Sequence, residues 1–281
     1  MKTILVATDF SATANNAFKY AKEFATVFNA KLVLFSAYTQ VPAPVREAAV
    51  IITAGEMRQV TLRRLNDSLR ESGDIAKVPV HVMCKEGAPA KTIMETAAEV
   101  DADLIITGMK EGGRGFRMTF GSTVTELARK TKVPMLVIPE KSRYTPVKSL
   151  ALATEKDLEL TESAEVVKIF QQVAQAYHSR VLMIRVAPDE VSEAVEMLNR
   201  PLRLNKILGS LDAEYECVRD SDVIAALNHF IETKNVDMLA MIPHRHSFMA
   251  RLLYKHNTGT MAFETPVPLL VLPEYSINQE S

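Results

Sequence analysis

The chain has 281 residues, of which 47% are hydrophobic, and its formal net charge is -1. This length and hydrophobic content are sufficient for two globular domains, each with its own core. The near balance of positive and negative charge excludes the basic surplus on which non-specific nucleic-acid binding depends. We therefore expect a globular protein without a nucleic-acid partner.

The amino terminus and the cysteines bear on where the protein acts. The apolar run before Asp9 is too short for a signal peptide, and no run approaches the roughly 20 apolar residues of a membrane span. Cys84 and Cys217 fall one in each half, without a CxxC spacing, which argues against a disulfide framework. These features predict a cytoplasmic protein with two buried thiols and no membrane partner.

Strand and helix patterns alternate along the first half. Apolar runs rich in β-branched residues predict strands over residues 4–9, 31–38, 80–87, 103–107 and 133–139. A first helix is expected to be capped by Ser11 or Thr13 and to end at Asn29. Further helices are predicted over residues 46–71 and 89–100 and from residue 121. This alternation is typical of an α/β domain with a parallel sheet and right-handed crossovers.

Two positions at strand ends are candidates for a ligand site. Asp9 ends the first predicted strand, and Gly108 follows the fourth. In an open α/β sheet, ligands bind beyond the carboxyl ends of the strands, where the strand order reverses. Asp9 and Gly108, although distant in sequence, are therefore expected to share one crevice.

A glycine-rich stretch follows the fourth strand and leads into a helix. Gly108 and Gly121 lie thirteen positions apart, and Ser122 follows at once. Glycine lets the backbone approach a ligand closely, and the N–H groups of a first helical turn favour an anion. The pattern predicts a phosphate cradle.

This stretch resembles the universal stress protein (UspA) family, whose nucleotide-binding members carry G-x2-G-x9-G-S/T at this place. The segments TDFS at residues 8–11 and EGAPAKTI at residues 86–93 also look like the pattern of that family. One position departs from it, because Glu111 replaces the middle glycine. A carboxylate there would repel a triphosphate unless a metal ion or an arginine intervened.

The resemblance implies that the first half binds an adenine nucleotide, ATP or a relative of it, with or without Mg2+. In the pattern of the family, Asp9 would contact the adenosine and Ala37 would pack near the base. The phosphates would be bound by the glycine pattern and the helix start, namely Gly108, Gly121, Ser122 and Thr123. Further phosphate contacts are expected from the loop residues Gly112, Gly113 and Arg114.

Several of these residues also have a purely structural interpretation. Asp9 could be a cap or a structural carboxylate. Thr123 stands three positions before Glu126, the spacing of a capping box at the helix start. Arg114 and Arg117 could neutralise phosphates over the loop or could simply be solvated there.

The second half of the chain repeats the first. VPMLVIPE at residues 133–140 returns as VPLLVLPE at residues 267–274, and ILVATD at residues 4–9 returns as LALATE. The repeat predicts two domains, residues 1–142 and 147–281, with KSRYTP as the linker.

The resemblance implies a fold for each domain and an arrangement of the two. Each would be Rossmann-like (adenine nucleotide alpha hydrolase-like), with a five-stranded parallel sheet flanked by helices. The two would form an internal pseudo-dimer through their apolar final strands, so that neither strand is left bare.

The second copy has lost the nucleotide pattern. Bulky residues occupy the glycine and serine positions, and a glutamate replaces the strand-end aspartate; these are Ile242, Arg245, Lys255, His256 and Glu155. Because such side chains would fill the space of the phosphates, we expect no ATP in this half.

Residues 244–256 of the second copy gather three histidines and several cations. The cluster could bind an anion, could ligate zinc, or could be a solvated polar loop. No metal site is predicted for the chain.

The sequence contains no GxSxG, HExxH or GxxxxGK[ST] motif, so it does not predict a catalytic activity. The leading hypothesis is a cytoplasmic stress-response protein, not an enzyme, that binds an adenine nucleotide in its first domain as a signal. One alternative is an interaction scaffold of the same fold that binds no nucleotide. Another is a slow ATP hydrolase. Homo-oligomers are compatible with the sequence, which identifies no protein partner.

Overall fold

The computed structural model describes residues 1–39, 53–73, 78–112, 117–118, 121–154, 167–187, 208, 211–219, 223–243 and 267–273. Within these ranges the chain forms one ten-stranded sheet, a two-stranded ribbon and six helices.

The first half alternates strands and helices in the order that the sequence predicts. Its elements are β1 (Thr3–Ala7), α1 (Ala12–Phe28), β2 (Lys31–Tyr38), α2 (Ala54–Glu71), β3 (Val80–Glu86), α3 (Pro89–Glu99), β4 (Leu104–Met109), the ribbon strands β5 (Glu111–Gly112) and β6 (Arg117–Met118), α4 (Ser122–Lys130) and β7 (Met135–Pro139). The elements of the second half are β8 (Ser149–Thr154), α5 (Lys168–Tyr177), β9 (Arg180–Ala187), β10 (Ala213–Arg219), α6 (Val223–Thr233), β11 (Met238–Met241) and β12 (Leu269–Val271).

The two halves contribute five strands each to the large sheet. Its order is β10-β9-β8-β11-β12-β7-β4-β1-β2-β3. Pairings inside each half are parallel, whereas β7 and β12 pair antiparallel, with Leu136 opposite Leu270. The internal pseudo-dimer through the final strands is therefore confirmed.

Helices cover both faces of the sheet. One face packs against α1, α2 and α5, and the other against α3, α4 and α6. β1 is buried at all five positions. A strand covered on both faces removes every side chain from water, and burial of apolar surface stabilises the fold by about 25 cal/mol per Å2. The sequence of β1 is therefore continuously apolar from Ile4 to Ala7 and does not alternate.

Local sequence signals set the ends of α1. Ser11 is the N-cap residue, and its hydroxyl accepts a hydrogen bond from the Ala14 N–H at 3.2 Å. Asn29 ends the helix with a φ of 49°, a left-handed conformation that asparagine tolerates better than most residues. Of the two predicted caps, Ser11 is correct, and Thr13 lies buried inside the helix.

The helix predicted from residue 46 begins later. Thr53 has extended backbone angles and forms a capping box with Glu56. Thr53 Oγ1 accepts a hydrogen bond from the Glu56 N–H at 3.2 Å, and Glu56 Oε2 accepts one from the Thr53 N–H at 2.7 Å. Hydrogen bonds from the backbone and side chain of Thr53 hold the pKa of Glu56 below its usual value. Because a capping box fixes a helix start, α2 begins at Ala54. Residues 46–52 of the predicted helix lie outside the described residues.

The same pair of hydrogen bonds occurs in each half of the structure, so the sequence repeat is also a structural repeat. Asp103 Oδ2 accepts hydrogen bonds from the two backbone N–H groups at the start of β1, at 2.6 and 2.9 Å. Asp237 Oδ2 does the same at the start of β8, at 2.8 Å in both cases. Each carboxylate therefore holds the first strand of its half against the fourth.

Aromatic side chains connect α1 to α5 across the linker. The Tyr144 ring meets that of Tyr20 edge-on at 5.3 Å, and the Tyr144 hydroxyl lies 3.1 Å from that of Tyr177. The rings of Phe24 and Phe28 each lie 6.1 Å from Tyr177. Burial raises the pKa of Tyr20 and of Tyr177, because a phenolate in this cluster would lose its water.

The cysteines lie on the two outermost strands of the sheet, Cys84 on β3 and Cys217 on β10. Both are half-buried, so the expectation of buried thiols is wrong. Within the described ranges, no helix has the length and apolar character needed to cross a bilayer.

Candidate functional site

The carboxyl ends of β1, β2 and β4 enclose a crevice of about 810 Å3. β1 lies between β4 and β2. The chain continues from β1 to β2 and β3 on one side, and β4 then pairs with β1 on its other side. This is the point where the strand order reverses and where open α/β sheets bind ligands. The volume is within the roughly 300–1,000 Å3 of small-molecule sites.

The crevice brings together residues that are far apart in sequence. The six main residues of the predicted nucleotide site all line it, namely Asp9, Ala37, Gly108, Gly121, Ser122 and Thr123. Gly112 lies in the ribbon, where it is paired with Arg117. Gly113 and Arg114 are outside the described residues.

Asp9 forms the turn between β1 and α1. Its Oδ1 accepts a hydrogen bond from the Ser11 N–H at 2.9 Å, the pattern of an Asx turn. Within the described residues, Oδ2 has no hydrogen-bond partner, and the side chain is exposed. One oxygen of Asp9 therefore has a structural role, while the other is available to a hydroxyl or amino group of a ligand.

Gly108 is required by the packing of the protein itself. It lies inside β4, which runs to Met109, and not after the strand as predicted. A Cβ atom at this position would lie 2.6 Å from the carbonyl oxygen of Thr13 and 2.8 Å from its Cγ2. The start of α1 can approach β4 only because residue 108 has no side chain.

The start of α4 differs from the prediction. Gly121 is the N-cap residue, with extended backbone angles and no side chain to cap the helix. The capping box predicted for Thr123 and Glu126 is wrong, because Thr123 lies within the first turn; Glu126 instead forms an ion pair with Lys130 at 2.7 Å. The N–H groups of the first turn are thereby left for water or an anionic ligand.

An apolar wall of the crevice comes from β2 and α3. Phe35 and Ala37 are two positions apart on β2, so they share one face of the sheet. Pro89 and Ile93 are four positions apart on α3, so they share one face of the helix. The strand order places this wall on the opposite side of β1 from the start of α4. An amphiphilic ligand with a flat apolar part and an anionic part matches this division.

Two charged lining residues were missed by the sequence analysis. Lys110 directly follows β4, and Glu140 directly follows β7. Because parallel strands all end at the same edge, the residue after each strand is a candidate for the site, and this signal was available in the sequence. The crevice therefore carries charges of both signs.

The described residues contain no group of three or more His, Cys, Asp or Glu side chains placed to hold a metal ion. The histidine and cation cluster of residues 244–256 lies outside the described ranges. The alternatives of anion binding, zinc binding and a solvated loop stay open for it.

The second half differs at the position that corresponds to Gly108. In the matching strand pairs, Ile106 lies opposite Val6 and Ala240 lies opposite Leu152, so Ile242 corresponds to Gly108. Ile242 is buried, with 4% of its surface exposed. At the equivalent position of the first half, a Cβ atom would lie 2.6 Å from the carbonyl oxygen of Thr13. Residues 155–166, which follow β8, lie outside the described residues. The other replaced positions, Arg245, Lys255, His256 and Glu155, lie outside the described residues.

Comparison with known proteins identifies one family. The model of the universal stress protein family matches residues 1–139. The universal stress protein MJ0531 of Methanocaldococcus jannaschii is 30% identical over 148 residues, which cover 50% of this chain and 84% of that protein. The stress response protein NhaX of Bacillus subtilis is 38% identical over 53 residues, which cover 19% of this chain and only 32% of the length of NhaX.

A solved structure shows the fold over almost the whole chain. The crystal structure of a universal stress protein from Archaeoglobus fulgidus covers 96% of this chain and 98% of its own, with a TM-score of 0.69. Its sequence is 13% identical, so this likeness concerns the fold alone. The family match and the relative from Methanocaldococcus jannaschii carry the assignment: the chain belongs to the universal stress protein family.

Proposed function

We propose that this protein binds an adenine nucleotide in its amino-terminal crevice and acts in the stress response through the occupancy of that site. Membership of the universal stress protein family supports the stress-response role. The binding proposal rests on one observation. Six residues of the family pattern, from Asp9 after β1 to Thr123 in α4, line the same crevice. Ligand binding to the folded state would stabilise it and shift its conformational population.

The two sides of the crevice suit the two parts of a nucleotide. The base would pack near Ala37, on the apolar wall of β2 and α3. Asp9 Oδ2 would accept a hydrogen bond from the adenosine. The phosphates would lie at the start of α4, where backbone N–H groups and the positive end of the helix dipole favour negative charge.

ATP is the nucleotide that we propose, with Mg2+ as its counter-ion. Asp9 and Glu140 are both acidic and both line the crevice, and they would repel a triphosphate. Mg2+ prefers carboxylate and phosphate oxygens, so it would offset this repulsion when bound. Lys110 supplies a further positive charge at the same edge of the sheet.

The proposed role is that of a binding protein and not of an enzyme. The described residues that line the crevice include no histidine and no cysteine, so the commonest general base and the most reactive nucleophile are both missing from that set. We further propose two domains, residues 1–142 and 147–281, in a cytoplasmic protein, with the nucleotide only in the first.

A thermal melt with and without MgATP tests the binding proposal. A ligand at 100 times its Kd stabilises the folded state by about 2.7 kcal/mol, which raises the melting temperature measurably. Asp9→Ala should lose this shift. Asp67→Ala removes another exposed carboxylate, from α2 and outside the crevice, and should retain the shift. Absence of a shift in the wild type at millimolar nucleotide would contradict the proposal.

A second candidate function is an interaction scaffold that binds no nucleotide. Two observations favour it: Glu111 stands where the family pattern has a glycine, and the packing of α1 already accounts for Gly108. The same melt separates the two functions. Incubation with MgATP, followed by an assay for ADP, tests the third alternative of a slow hydrolase.

A further inference from the structure

The turn that carries Asp9 contains an unusual residue. Phe10 has a φ of 66°, in the left-handed region that bulky residues rarely adopt. The other described residues with positive φ that are not glycine follow the ends of helices in both halves, where such a conformation is common. Phe10 instead lies in the turn between Asp9 and Ser11, which both line the crevice. A conformation of this kind persists only where the surroundings hold it.

Three contacts hold Phe10 in this conformation. Its N–H donates a hydrogen bond to Thr8 Oγ1 at 3.0 Å. Its ring packs against the hydrophobic core on the side of α1 and α2. The guanidinium carbon of Arg64, on α2, lies 4.0 Å from the ring centroid, well inside the roughly 6 Å at which an aromatic face attracts a cation.

The conformation of Phe10 determines the direction of the Asp9 carboxylate. The hydrogen bond from the Ser11 N–H to Asp9 Oδ1 spans Phe10, so it depends on the φ of that residue. If Phe10 changed to a negative φ, the Ser11 N–H would turn away from the carboxylate. Asp9 would then lose its fixed orientation at the crevice, and Ser11 would lose its position as the cap of α1.

We propose that Arg64 is a positioning residue for the nucleotide site: stacked on Phe10, it holds the left-handed turn that aims Asp9 at the ligand. Arg64 is exposed and is not among the described residues that line the crevice, so it acts through Phe10. The effect on the ligand rests on the proposed function, whereas the effect on the turn does not. A cation–π contact at an exposed site corresponds to about a two- to fivefold change in an equilibrium constant.

The first experiment needs no nucleotide. Amide hydrogen exchange at Ser11 is measured by NMR in the wild type and in Arg64→Met, which keeps a long apolar side chain and removes the cation. We expect exchange at Ser11 to become about two- to fivefold faster. Arg63→Met, the matched control, changes the neighbouring exposed arginine and should leave it unchanged, and Arg64→Lys should restore most of the protection. Unchanged exchange in Arg64→Met, or equal acceleration in Arg63→Met, overturns the proposal.

The second experiment measures the affinity for MgATP by calorimetry. Arg64→Met should weaken binding about two- to fivefold in the wild type and should have no further effect in an Asp9→Asn background, because it acts through Asp9. Equal weakening in both backgrounds would show a direct electrostatic effect and would overturn the positioning role. If the wild type binds no adenine nucleotide, the proposed function is wrong, and the exchange at Ser11 still decides whether Arg64 holds the turn.

Discussion

A Cβ atom on Gly108 would lie 2.6 Å from the carbonyl oxygen of Thr13. Thr13 belongs to the first turn of α1 and is buried, so β4 and α1 are in direct contact beside the crevice. The glycine that the family pattern connects with phosphate binding therefore has a packing role that no residue with a side chain can fill.

We expect Gly108→Ala to destabilise the protein by about 1–3 kcal/mol, the range for an overpacked site, because the backbone of Thr13 must move. Urea unfolding in the absence of nucleotide measures this cost. Gly121→Ala is the matched control: nothing lies within 4 Å of its Cβ position, and its φ of -61° suits any residue. Its cost should be below about 1 kcal/mol, the loss of a favourable N-cap. Equal costs would contradict the packing role.

Gly121→Ser separates the stability of α4 from the binding of phosphate. A serine at the N-cap can accept a hydrogen bond from the first turn, so stability should be unchanged or higher by a few tenths of a kcal/mol. The same hydroxyl would compete with a phosphate for those N–H groups, so the MgATP-induced shift in melting temperature should decrease. A stabilised variant with an undiminished shift would show that the start of α4 does not bind the ligand.

Much of the fold follows from the sequence because burial is continuous along the central strands. The apolar runs at residues 4–9 and 31–38 locate β1 and β2 to within two residues at each end. The repeat of VPMLVIPE as VPLLVLPE predicts that the two final strands meet edge to edge, because pairing covers two apolar edges that would otherwise be exposed. The structure confirms this pairing of β7 with β12 and adds that it is antiparallel.

The details of the site depend on contacts that have no local signal. The contact of Gly108 with Thr13 joins residues 95 positions apart, so a glycine pattern cannot distinguish it from an approach to phosphate. The capping box expected at Thr123 does not form, because Gly121 is the N-cap residue and Thr123 already lies in the first turn of α4. The left-handed conformation of Phe10 is also invisible in the sequence, since an aromatic residue is not expected to adopt it.

The equivalent carboxylates Asp103 and Asp237 predict equivalent losses in the two halves. Each accepts two backbone hydrogen bonds at the start of a strand, so Asp103→Ala and Asp237→Ala should each cost about 1–3 kcal/mol in the free energy of unfolding. The cost at Asp237 should be at least as large, because it is half-buried and Asp103 is exposed. Asp67→Ala, at an exposed ion pair, should change stability by less than about 1 kcal/mol. A negligible effect at either repeat position would contradict the structural equivalence.

The aromatic cluster between α1 and α5 predicts a loss of stability at alkaline pH. Burial raises the pKa of Tyr20 and Tyr177, whereas the phenols of the unfolded chain ionise near their ordinary value of 10.0. The stabilisation is therefore fully present below pH 10 and is lost as the pH rises above it, because the unfolded chain then releases protons that the folded chain retains. Each phenol that is ionised in the unfolded chain but protonated in the folded chain lowers the free energy of unfolding by at most about 1.4 kcal/mol per pH unit. Urea unfolding at a series of alkaline pH values should show a shallower decline for Tyr177→Phe, which removes one of the two phenols, and identical slopes would mean that Tyr177 ionises normally in the folded protein.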